Sequence, residues 1–577
     1  MRSKNLHQYL IRKFQYADTH AFSYKHKGNW KKISFKTYIE SANLLAKSLI
    51  DLGVIKNTKV ASITLNRPEW NILDLALLQI GAIHISIFPN FNLEDISHSL
   101  KYTDSEYLFV SGKLLMKQID KLKLVNKIFS FDELKGEKNI LKNLIDKGKT
   151  LDNQKQLNAY TENIALDDVA SIYLTSGTSG KSKGVVVTHK AIMKTIEAMK
   201  SLYTINSSDK ALSFAPLCVS SERSLNYYYQ SHNICTFYTE SMEKIVENMQ
   251  EVKPTIFLGA PVLLEKIREK IFEKSKELNG IKAIVFNWAL GIATNYSIEG
   301  KTKNKIQYKI ADKLIFSKLR QIMGGQVRFI MAGGAAIPNE VNRFFWALDI
   351  PVYEGYGLSE CHIVSVNRDR AGIKFGTVGT LFGETEVLIN ENGEIVCKSP
   401  YMFKEYYKMK ELTSQSFDKF GFFKTGDKGE WIDNKYLKVI GRVKDIFKIK
   451  TGRYISPAYV EKFINSSKYI SQSIVIGANR SFISAIIIPA FEYYKTKHKQ
   501  SNCTNKELLN NKHLVNIIQE EINITNKNFI KSEKIASFKL LEHNFTITKG
   551  ELTPSSKLKR HIIEEKYQKT INNIYDN

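Results

Sequence analysis

Cysteine is scarce in this sequence of 577 residues and shows no sign of pairing. The five cysteines stand at positions 218, 235, 361, 397 and 503, an odd number without the short spacings of zinc ligands. This scatter argues against a disulfide framework and against a cysteine metal site. It predicts that the protein works in a reducing compartment.

Long apolar runs are also absent. The most apolar stretch, residues 75–88, is interrupted by Gln79, His84 and Ser86 and is shorter than the roughly 18 residues that a membrane-spanning helix needs. Residues 1–22 mix Arg, Lys, His and Gln with apolar residues, unlike the continuous apolar core of a signal peptide. We therefore expect a soluble, cytoplasmic protein.

Acidic residues are in deficit, since 58 Asp and Glu face 84 Lys and Arg, which gives a net charge of +26. The lysines are spread along the whole chain without a basic block interleaved with aromatics, so we expect no specific nucleic-acid partner. A peripheral membrane contact fits the charge better. Residues 301–320 place Lys among Ile, Leu, Phe and Tyr, although a solvated helix with one buried side explains them equally well.

The remaining composition is that of an ordinary globular enzyme, with 43% hydrophobic and 25% charged residues. Strand-like runs (59–65, 170–174, 327–331 and 474–477) alternate with helix-like runs such as 35–52. This alternation predicts an α/β fold: a large N-terminal domain of mixed and parallel sheets packed with helices, over residues 1–441. A smaller, mobile α+β domain is expected over residues 442–577.

The segment from Thr175 to Gly184 is built to hold phosphate. Its glycines let backbone amides approach an anion, its hydroxyls donate hydrogen bonds, and its lysines add charge. The segment fails the P-loop count by one residue, because Thr175 stands where that motif has glycine. It lies between a strand-like run and what looks like a helix.

Four further segments combine glycine with residues that carry chemistry. Each alone has a bland interpretation as a tight turn or a charged surface loop. The four segments are residues 332–338 (AGGAAIP), 353–360 (YEGYGLSE), 424–427 (KTGD) with 441–445 (GRVKD), and 550–560 (GELTPSSKLKR).

In their order and spacing these motifs resemble the adenylate-forming superfamily of acyl-coenzyme A synthetases. The resemblance runs from Trp30 to Lys557 and includes the Asn66–Trp70 segment and the Thr188-His189 pair. The segment Thr553–Arg560 looks more like the long-chain fatty acyl branch than the acetate or aryl branches.

The resemblance implies a mobile loop that closes over the phosphates of ATP. The loop residues are Thr175, Ser176, Gly177, Thr178, Ser179, Gly180 and Lys183. Further nucleotide contacts are implied for Gly333, Gly334, Ala335 and Gly357.

The family's remaining roles fall on single residues, as the resemblance implies them. Tyr356 would stack on adenine, Ser359 would contact the α-phosphate, and Glu360 would help to hold Mg²⁺. Asp427 would bind the ribose hydroxyls with support from Arg442. The last two roles belong to Lys444, at the position of the family's hinge, and to Lys557, which would bridge the substrate carboxylate and the α-phosphate.

The implied reaction uses ATP and Mg²⁺ to convert a medium- or long-chain fatty acid into an acyl adenylate, and then transfers the acyl group to coenzyme A. Two alternatives stay open: a ligase that loads a carrier protein, and a basic scaffold on a catalytically dead fold. Retention of Lys557, Glu360 and Asp427 favours an active enzyme. The oligomeric state is open, with a homodimer as one option.

Three departures from the family pattern concern the acyl pocket, the phosphate loop and the segment before Lys557. Val219 stands at the position of a usual histidine, which bears on the shape of the acyl end of the pocket. Ser182 replaces a common proline in the phosphate loop. Ser555 and Ser556 replace the usual Thr-Leu before the lysine.

Overall fold

The structure is a computed structural model that describes residues 3–14, 19–176, 182–298, 305–368, 372–553 and 557–575. Within these ranges, no helix combines the length and the apolar character that crossing a membrane requires. The apolar stretch 75–88 is instead divided between a buried helix end and a buried strand.

Twenty-five strands occur in the described part of the chain. In chain order they are β1 (His20–His26), β2 (Asn29–Ser34), β3 (Lys59–Ile63), β4 (Ile83–Ile87), β5 (Tyr107–Val110), β6 (Lys127–Ser130), β7 (Val169–Ser176), β8 (Ser182–Thr188), β9 (Lys210–Ser213), β10 (Cys235–Tyr238), β11 (Ile256–Gly259), β12 (Phe329–Ala332), β13 (Val352–Leu358), β14 (His362–Val366), β15 (Thr380–Leu381), β16 (Glu386–Ile389), β17 (Glu394–Lys398), β18 (Glu405–Tyr406), β19 (Phe423–Ile432), β20 (Tyr436–Arg442), β21 (Phe447–Lys448), β22 (Tyr454–Ile455), β23 (Ile470–Ile476), β24 (Ile483–Pro489) and β25 (Ile535–Leu540).

Twenty-two α-helices accompany them in the same ranges. They are α1 (Leu6–Lys13), α2 (Phe35–Asp51), α3 (Pro68–Ile80), α4 (Leu93–Thr103), α5 (Lys113–Asp120), α6 (Leu141–Gly148), α7 (Gln154–Glu162), α8 (His189–Met199), α9 (Ser220–Ser231), α10 (Ile245–Val252), α11 (Pro261–Lys276), α12 (Gly280–Thr294), α13 (Lys305–Ala311), α14 (Ser317–Ile322), α15 (Asn339–Ala347), α16 (Lys410–Gln415), α17 (Pro457–Ile464), α18 (Phe491–Lys497), α19 (Asn505–Leu508), α20 (Lys512–Asn526), α21 (Arg560–Lys566) and α22 (Gln568–Tyr575). A π-helical turn, Asp312–Phe316, joins α13 to α14, and a 3₁₀ turn, Lys531–Glu533, precedes β25.

Two large mixed sheets form the first part of the chain. Their strand orders are β15-β14-β13-β12-β11-β9-β10-β1-β2 and β18-β8-β7-β4-β3-β5-β6. The central strands pair in parallel, and antiparallel pairs lie at the sheet edges. The central strands are largely buried, as in β4, where all five residues are buried, including His84 and Ser86. Such burial is typical of parallel strands that are covered on both faces.

The helices follow the usual end signals. Helix α2 begins after Ser34, whose side chain accepts a hydrogen bond from the Thr37 amide, and α3 begins with Pro68 at its first turn. Gly81 ends α3 in the left-handed conformation at φ 81°, which a Cβ would disfavour. These ends fix where the chain enters β4.

The later part of the chain changes character. A four-stranded antiparallel sheet, β16-β17-β19-β20, is followed by a hairpin of β21 and β22 and a small sheet of order β23-β24-β25. A separate hydrophobic core, drawn from residues between Ile449 and Ile574, belongs to the elements that follow the four-stranded sheet.

The structure confirms the α/β fold class, with a large N-terminal domain and a smaller C-terminal one. The boundary between residues 441 and 442 stays a prediction. One local expectation was wrong, because the phosphate segment runs into strand β8, which begins at Ser182, and not directly into a helix. Three consecutive valines, 185–187, favour the extended conformation there.

Candidate active site

The phosphate segment lies at the turn of an antiparallel hairpin. Strands β7 and β8 pair so that Thr175 is opposite Lys183, and the Thr175 hydroxyl donates a hydrogen bond to the Lys183 carbonyl at 3.4 Å. Of the predicted loop residues, Gly177, Thr178, Ser179 and Gly180 lie outside the described residues, and only the backbone of Ser176 is described. The two ends of the predicted loop are therefore placed, and its tip is not.

A second hairpin, of β13 and β14, carries Tyr356, Gly357, Ser359 and Glu360. The two strands approach so closely at Gly357 that a Cβ there would lie 1.8 Å from the carbonyl oxygen of His362. Only glycine permits this approach without moving the backbone. The hairpin thereby sets the positions of the side chains on either side of Gly357.

Glu360 meets two groups from other elements. Its carboxylate accepts a hydrogen bond from the Tyr406 hydroxyl at 2.8 Å, and its carbonyl accepts one from the Phe403 amide at 2.7 Å. The ammonium of Lys183 lies 5.3 Å from the centre of the Tyr406 ring. Strand β18 pairs with β8, and this pairing brings Tyr406 between the two charged residues.

Lys183 is half-buried and close enough to Glu360 and Lys444 to feel both charges. Burial lowers the pKa of Lys183, the nearby Lys444 ammonium lowers it further, and Glu360 acts in the opposite direction. The proposed hinge residue thus lies near the phosphate hairpin, although it is distant in sequence.

Asp427 is buried between two partners. Its carboxylate accepts a hydrogen bond from the Tyr356 hydroxyl at 2.6 Å and pairs with Arg442 at 2.9 Å from Nε to Oδ1. Arg442 also donates to the Thr425 carbonyl at 3.1 Å. Burial raises the pKa of Asp427, and the Arg442 charge opposes this effect only in part.

Lys557 comes from the C-terminal part of the chain and lies within electrostatic range of the Asp427–Arg442 pair. Its backbone amide donates to the Thr553 hydroxyl at 3.0 Å. The Lys557 side chain is partly exposed, but partial burial among protein atoms lowers its pKa. Arg442 lowers that pKa further, while Asp427 and Asp445 act in the opposite direction.

The glycine-rich turn after β12 presents an exposed backbone beside these groups. Gly333 packs against the Gly355 carbonyl, where an added Cβ would lie at 3.1 Å, and Gly334 has a φ of 85°. The exposed Ala335 continues the turn. A flat ligand can lie against such a surface without meeting bulky side chains.

Behind this turn lies a contact between the two domains that the sequence did not indicate. The Ile337 amide donates to the Glu354 carboxylate at 3.0 Å, and Lys462 of α17 donates to the Ile337 carbonyl at 2.9 Å. Burial raises the pKa of Glu354 to about 7 and lowers that of Lys462. A lysine on an amphipathic helix gives no signal of such a role in the sequence.

Helix α9 supports the Ser359 turn from inside the molecule. Ser220, in its first turn, lies 3.2 Å from Ser359 between hydroxyl oxygens, and Ser224 contacts His362 at 3.3 Å. Val219 is the residue directly before α9 and is half-buried. The sequence pointed to Val219 but not to these supporting serines.

Arg223 anchors α9 in the core. This fully buried guanidinium pairs with Asp74, donates to the Ser171 hydroxyl at 2.7 Å, and lies 5.0 Å from the centre of the Trp70 ring. Such a pair fixes the helix in one position, because either charge left alone in the interior would be strongly destabilising.

The donor set fits a magnesium ion that arrives with a nucleotide. No group of three or more His, Cys, Asp or Glu side chains suited to a metal occurs among the described residues. Mg²⁺ is commonly held by one or two carboxylates together with substrate phosphates. A single carboxylate, Glu360, next to a phosphate-type hairpin meets this requirement.

Comparison with known proteins agrees with this geometry. Residues 12–407 match the model of the family described as AMP-binding enzyme, and residues 444–577 match that of the AMP-binding enzyme C-terminal domain.

Two relatives align along most of the chain. The long-chain-fatty-acid–CoA ligase FadD15 of Mycobacterium bovis is 26% identical over 562 residues, which cover 95% of this chain and 93% of the relative. Fatty acyl-CoA synthetase A of Dictyostelium discoideum is 27% identical over 595 residues, covering 95% and 86%.

Solved structures share the fold. The adenylation domain of a carboxylate reductase from Mycobacterium chelonae superposes with a TM-score of 0.75 at 19% identity, covering 99% of this chain and 91% of the other. An anthranilate CoA ligase in complex with anthranoyl-AMP gives a TM-score of 0.73 at 18% identity, covering 98% of both chains.

Proposed function

The chain belongs to the family of AMP-binding enzymes, and from this membership we propose that it is an ATP-dependent acid–thiol ligase. It activates a fatty acid, of medium or long chain, as an acyl adenylate and then passes the acyl group to coenzyme A. The observation that carries this proposal is that Lys557, from the predicted C-terminal domain, lies close enough to the Asp427–Arg442 pair of strands β19 and β20 for both charges to act on its pKa. The names of the relatives, a fatty acid–CoA ligase and a fatty acyl-CoA synthetase, support the same substrate class.

The nucleoside part of ATP would lie between the glycine-rich turn and the second hairpin. Tyr356 is fixed by its hydroxyl, which donates to Asp427, so its ring is held ready for an adenine. A carboxylate has about four lone-pair sites, and Asp427 uses only some of them on Tyr356 and Arg442. The rest can accept hydrogen bonds from the ribose hydroxyls.

The first step needs positive charge, because a carboxylate attacks an α-phosphate and pyrophosphate leaves. Lys183 lies at the phosphate hairpin and would face the leaving group, with Ser359 near the α-phosphate. Lys557 would bind both the fatty acid carboxylate and the α-phosphate. Its charge would reduce the repulsion between these two anions and would orient the carboxylate for attack. Mg²⁺, held by Glu360 and the phosphates, would neutralise charge on the phosphate oxygens.

The second step needs different groups around the acyl carbonyl, because a thiol now attacks and AMP leaves. A rotation of the C-terminal domain about Lys444 would move Lys557 away from the site and would turn a different face of that domain toward the acyl adenylate. The exposed position of Lys444 at the junction of β20 with the last elements supports this role. A homodimer stays a prediction.

Replacement of Lys557 by Ala tests the assignment. We expect fatty acid-dependent pyrophosphate release to fall on the order of a hundredfold or more, because the charge that joins the two anions is lost. Thioester formation from chemically made acyl adenylate should be largely kept. Lys549→Ala is the matched control, since Lys549 is an exposed lysine in the same domain.

Two outcomes would count against the proposal. If both half-reactions of the Lys557→Ala variant match the native rates, Lys557 has another role. If the native protein forms acyl adenylate but acylates a phosphopantetheine carrier protein and not coenzyme A, the acceptor is a carrier. A panel of free acids of different lengths, read by AMP and pyrophosphate release with and without coenzyme A, separates these cases.

A further inference from the structure

One continuous helical run carries an apolar stripe on its solvent side. The run consists of α13, the π-helical turn and α14, over residues 305–322. Ile306, Ile310 and Leu314 are spaced four residues apart and are 70%, 46% and 43% exposed. Residues at this spacing share one face of a helix. The opposite face, with Ala311, Phe316, Leu319 and partly buried neighbours, packs into the core.

A basic stripe runs beside the apolar one. Lys305, Lys309 and Lys313 repeat the same spacing one position earlier, and Lys318 follows. All four lysines are exposed, and none forms an ion pair with an acidic side chain in the described part of the chain. Asp312, the single acidic residue of the run, is already paired with Arg320 at 2.5 Å.

The neighbouring helix also exposes apolar side chains. Helix α12 packs against α13 and the π-helical turn, and its Ile281 and Ile284 are 79% and 70% exposed. Lys282, between them, is exposed as well. We call the exposed apolar and basic residues of α12 and of the run 305–322 the basic–apolar surface.

We propose that the basic–apolar surface docks the enzyme on an anionic lipid membrane. An amphipathic helix with isoleucine or leucine beside lysine lies in the plane of a membrane, where the apolar side chains enter the headgroup boundary and the lysines meet anionic lipids. The net charge of +26 adds a general attraction to such a surface.

Other occupants fit this chemistry less well. The buried centre of a protein–protein interface is depleted in lysine, whereas here four of the five named apolar residues have a lysine directly beside them in the sequence. A twofold contact between two copies would bring lysines against lysines. Nucleic acid would leave the isoleucines without an apolar partner. The docking surface stands without the proposed function, but the two fit together, because a free fatty acid partitions into membranes.

The test is flotation of the full chain with vesicles of phosphatidylcholine alone and with vesicles of phosphatidylcholine and phosphatidylglycerol in equal parts. We expect binding to the second kind that weakens as salt is added. The charge variant is Lys305→Gln/Lys309→Gln/Lys313→Gln. Its binding should fall well over tenfold, since each lysine near an anionic surface contributes a factor of roughly five.

A matched control removes the same charge elsewhere. The variant Lys506→Gln/Lys512→Gln/Lys527→Gln changes three exposed lysines of the C-terminal domain and should bind nearly as the native chain does. An equal loss in both variants would overturn the proposal, because binding would then follow net charge alone.

The apolar stripe is tested separately by Ile310→Ser/Leu314→Ser. This variant keeps the charge and should also lose binding, while adenylate formation with a soluble medium-chain acid stays unchanged. Unchanged flotation of this variant would contradict docking through the stripe. A concentration-dependent dimer in solution that this variant abolishes would assign the surface to a second copy instead.

Discussion

Glu222 and Arg223 are neighbours in sequence, and both are buried, but only one of them has a charged partner. Arg223 pairs with Asp74, whereas the Glu222 carboxyl lies 2.5 Å from the Ser213 hydroxyl and has no cationic partner among the described residues. Burial therefore raises the pKa of Glu222 to about 8. Glu222 should therefore make the stability of the chain depend on pH.

The direction follows from proton binding. Between pH 4.5, the ordinary pKa of a glutamate, and pH 8, the folded chain holds a proton on Glu222 that the unfolded chain has released. The contribution of Glu222 to stability is thus intact below pH 4.5 and is lost as the pH rises through 8. Glu222→Gln removes this titration.

We expect the melting temperature of Glu222→Gln to exceed the native value increasingly from pH 5 to pH 8 and to level off above. The gain above pH 8 is on the order of a few kcal/mol. Glu391→Gln, at an exposed turn position, is the control and should show no such trend. Melting curves that run parallel at all pH values would mean that Glu222 is charged in the fold.

At the scale of elements, the β13–β14 hairpin is the part of the site that we expect to tolerate substitution least. The Gly357→Ala change would drive a Cβ into the His362 carbonyl oxygen, so the two strands must separate and carry Ser359 and Glu360 with them. A displacement of about 1 Å in a reacting group can cost a hundredfold in rate. We expect Gly357→Ala to lower both the adenylation rate, on that order, and the melting temperature.

Gly291→Ala provides the contrast for this prediction. Gly291 lies inside helix α12 with open space around its Cα, so alanine should raise stability by up to about 1 kcal/mol and leave adenylation unchanged. Equal effects of the two changes would show that the hairpin does not depend on close strand approach. Pyrophosphate release and thermal melting supply both measurements.

The elements also show what the sequence could and could not reveal. Alternating apolar strands and amphipathic helices predicted the α/β class, because buried parallel sheets require such runs. The strand after the phosphate segment was missed although the valines at 185–187 signal it. The two-residue strand β18 was not predictable, since it depends on pairing with β8 across more than two hundred residues, and Tyr406 was missed with it.

The order of motifs predicted candidate site residues, and the structure brings several of them together, but it did not predict how they are supported. The Asp427–Arg442 pair follows from the register of β19 and β20, where the two residues are direct neighbours. The buried Arg223–Asp74 pair joins helices far apart in the sequence, and nothing in either segment marks the partner. Local patterns report chemistry and burial, whereas contacts between distant segments depend on the packing of the whole fold.

At the scale of the whole molecule, Lys462 joins the two domains in the arrangement seen here. Its hydrogen bond to the Ile337 carbonyl would break if the C-terminal domain rotated between the half-reactions. Lys462→Met should therefore disfavour the present arrangement and slow pyrophosphate release roughly tenfold, as expected for one hydrogen bond from a charged donor. Thioester formation from supplied acyl adenylate should change much less.

A second contact between the two domains serves as the control for this prediction. The Lys468 ammonium lies 3.7 Å from the Glu273 carboxylate, too far for a hydrogen bond, so Lys468→Met removes no hydrogen bond and should have a much smaller effect. Equal loss of both half-reactions in Lys462→Met would indicate general damage and no preference between arrangements. Single-turnover assays of each half-reaction distinguish these outcomes.

Arg442 and Lys444 are separated by one residue, yet only Arg442 is held by the antiparallel sheet. Arg442 is bound to Asp427 and to the Thr425 carbonyl within the antiparallel sheet, while Lys444 begins the stretch that would turn. If the chain turns at Lys444, after the Asp427–Arg442 pair, the proposed contacts of that pair with the nucleoside stay in place while Lys557 moves away. AMP would then stay bound through both chemical steps. The enzyme would release the acyl-CoA thioester first and AMP last.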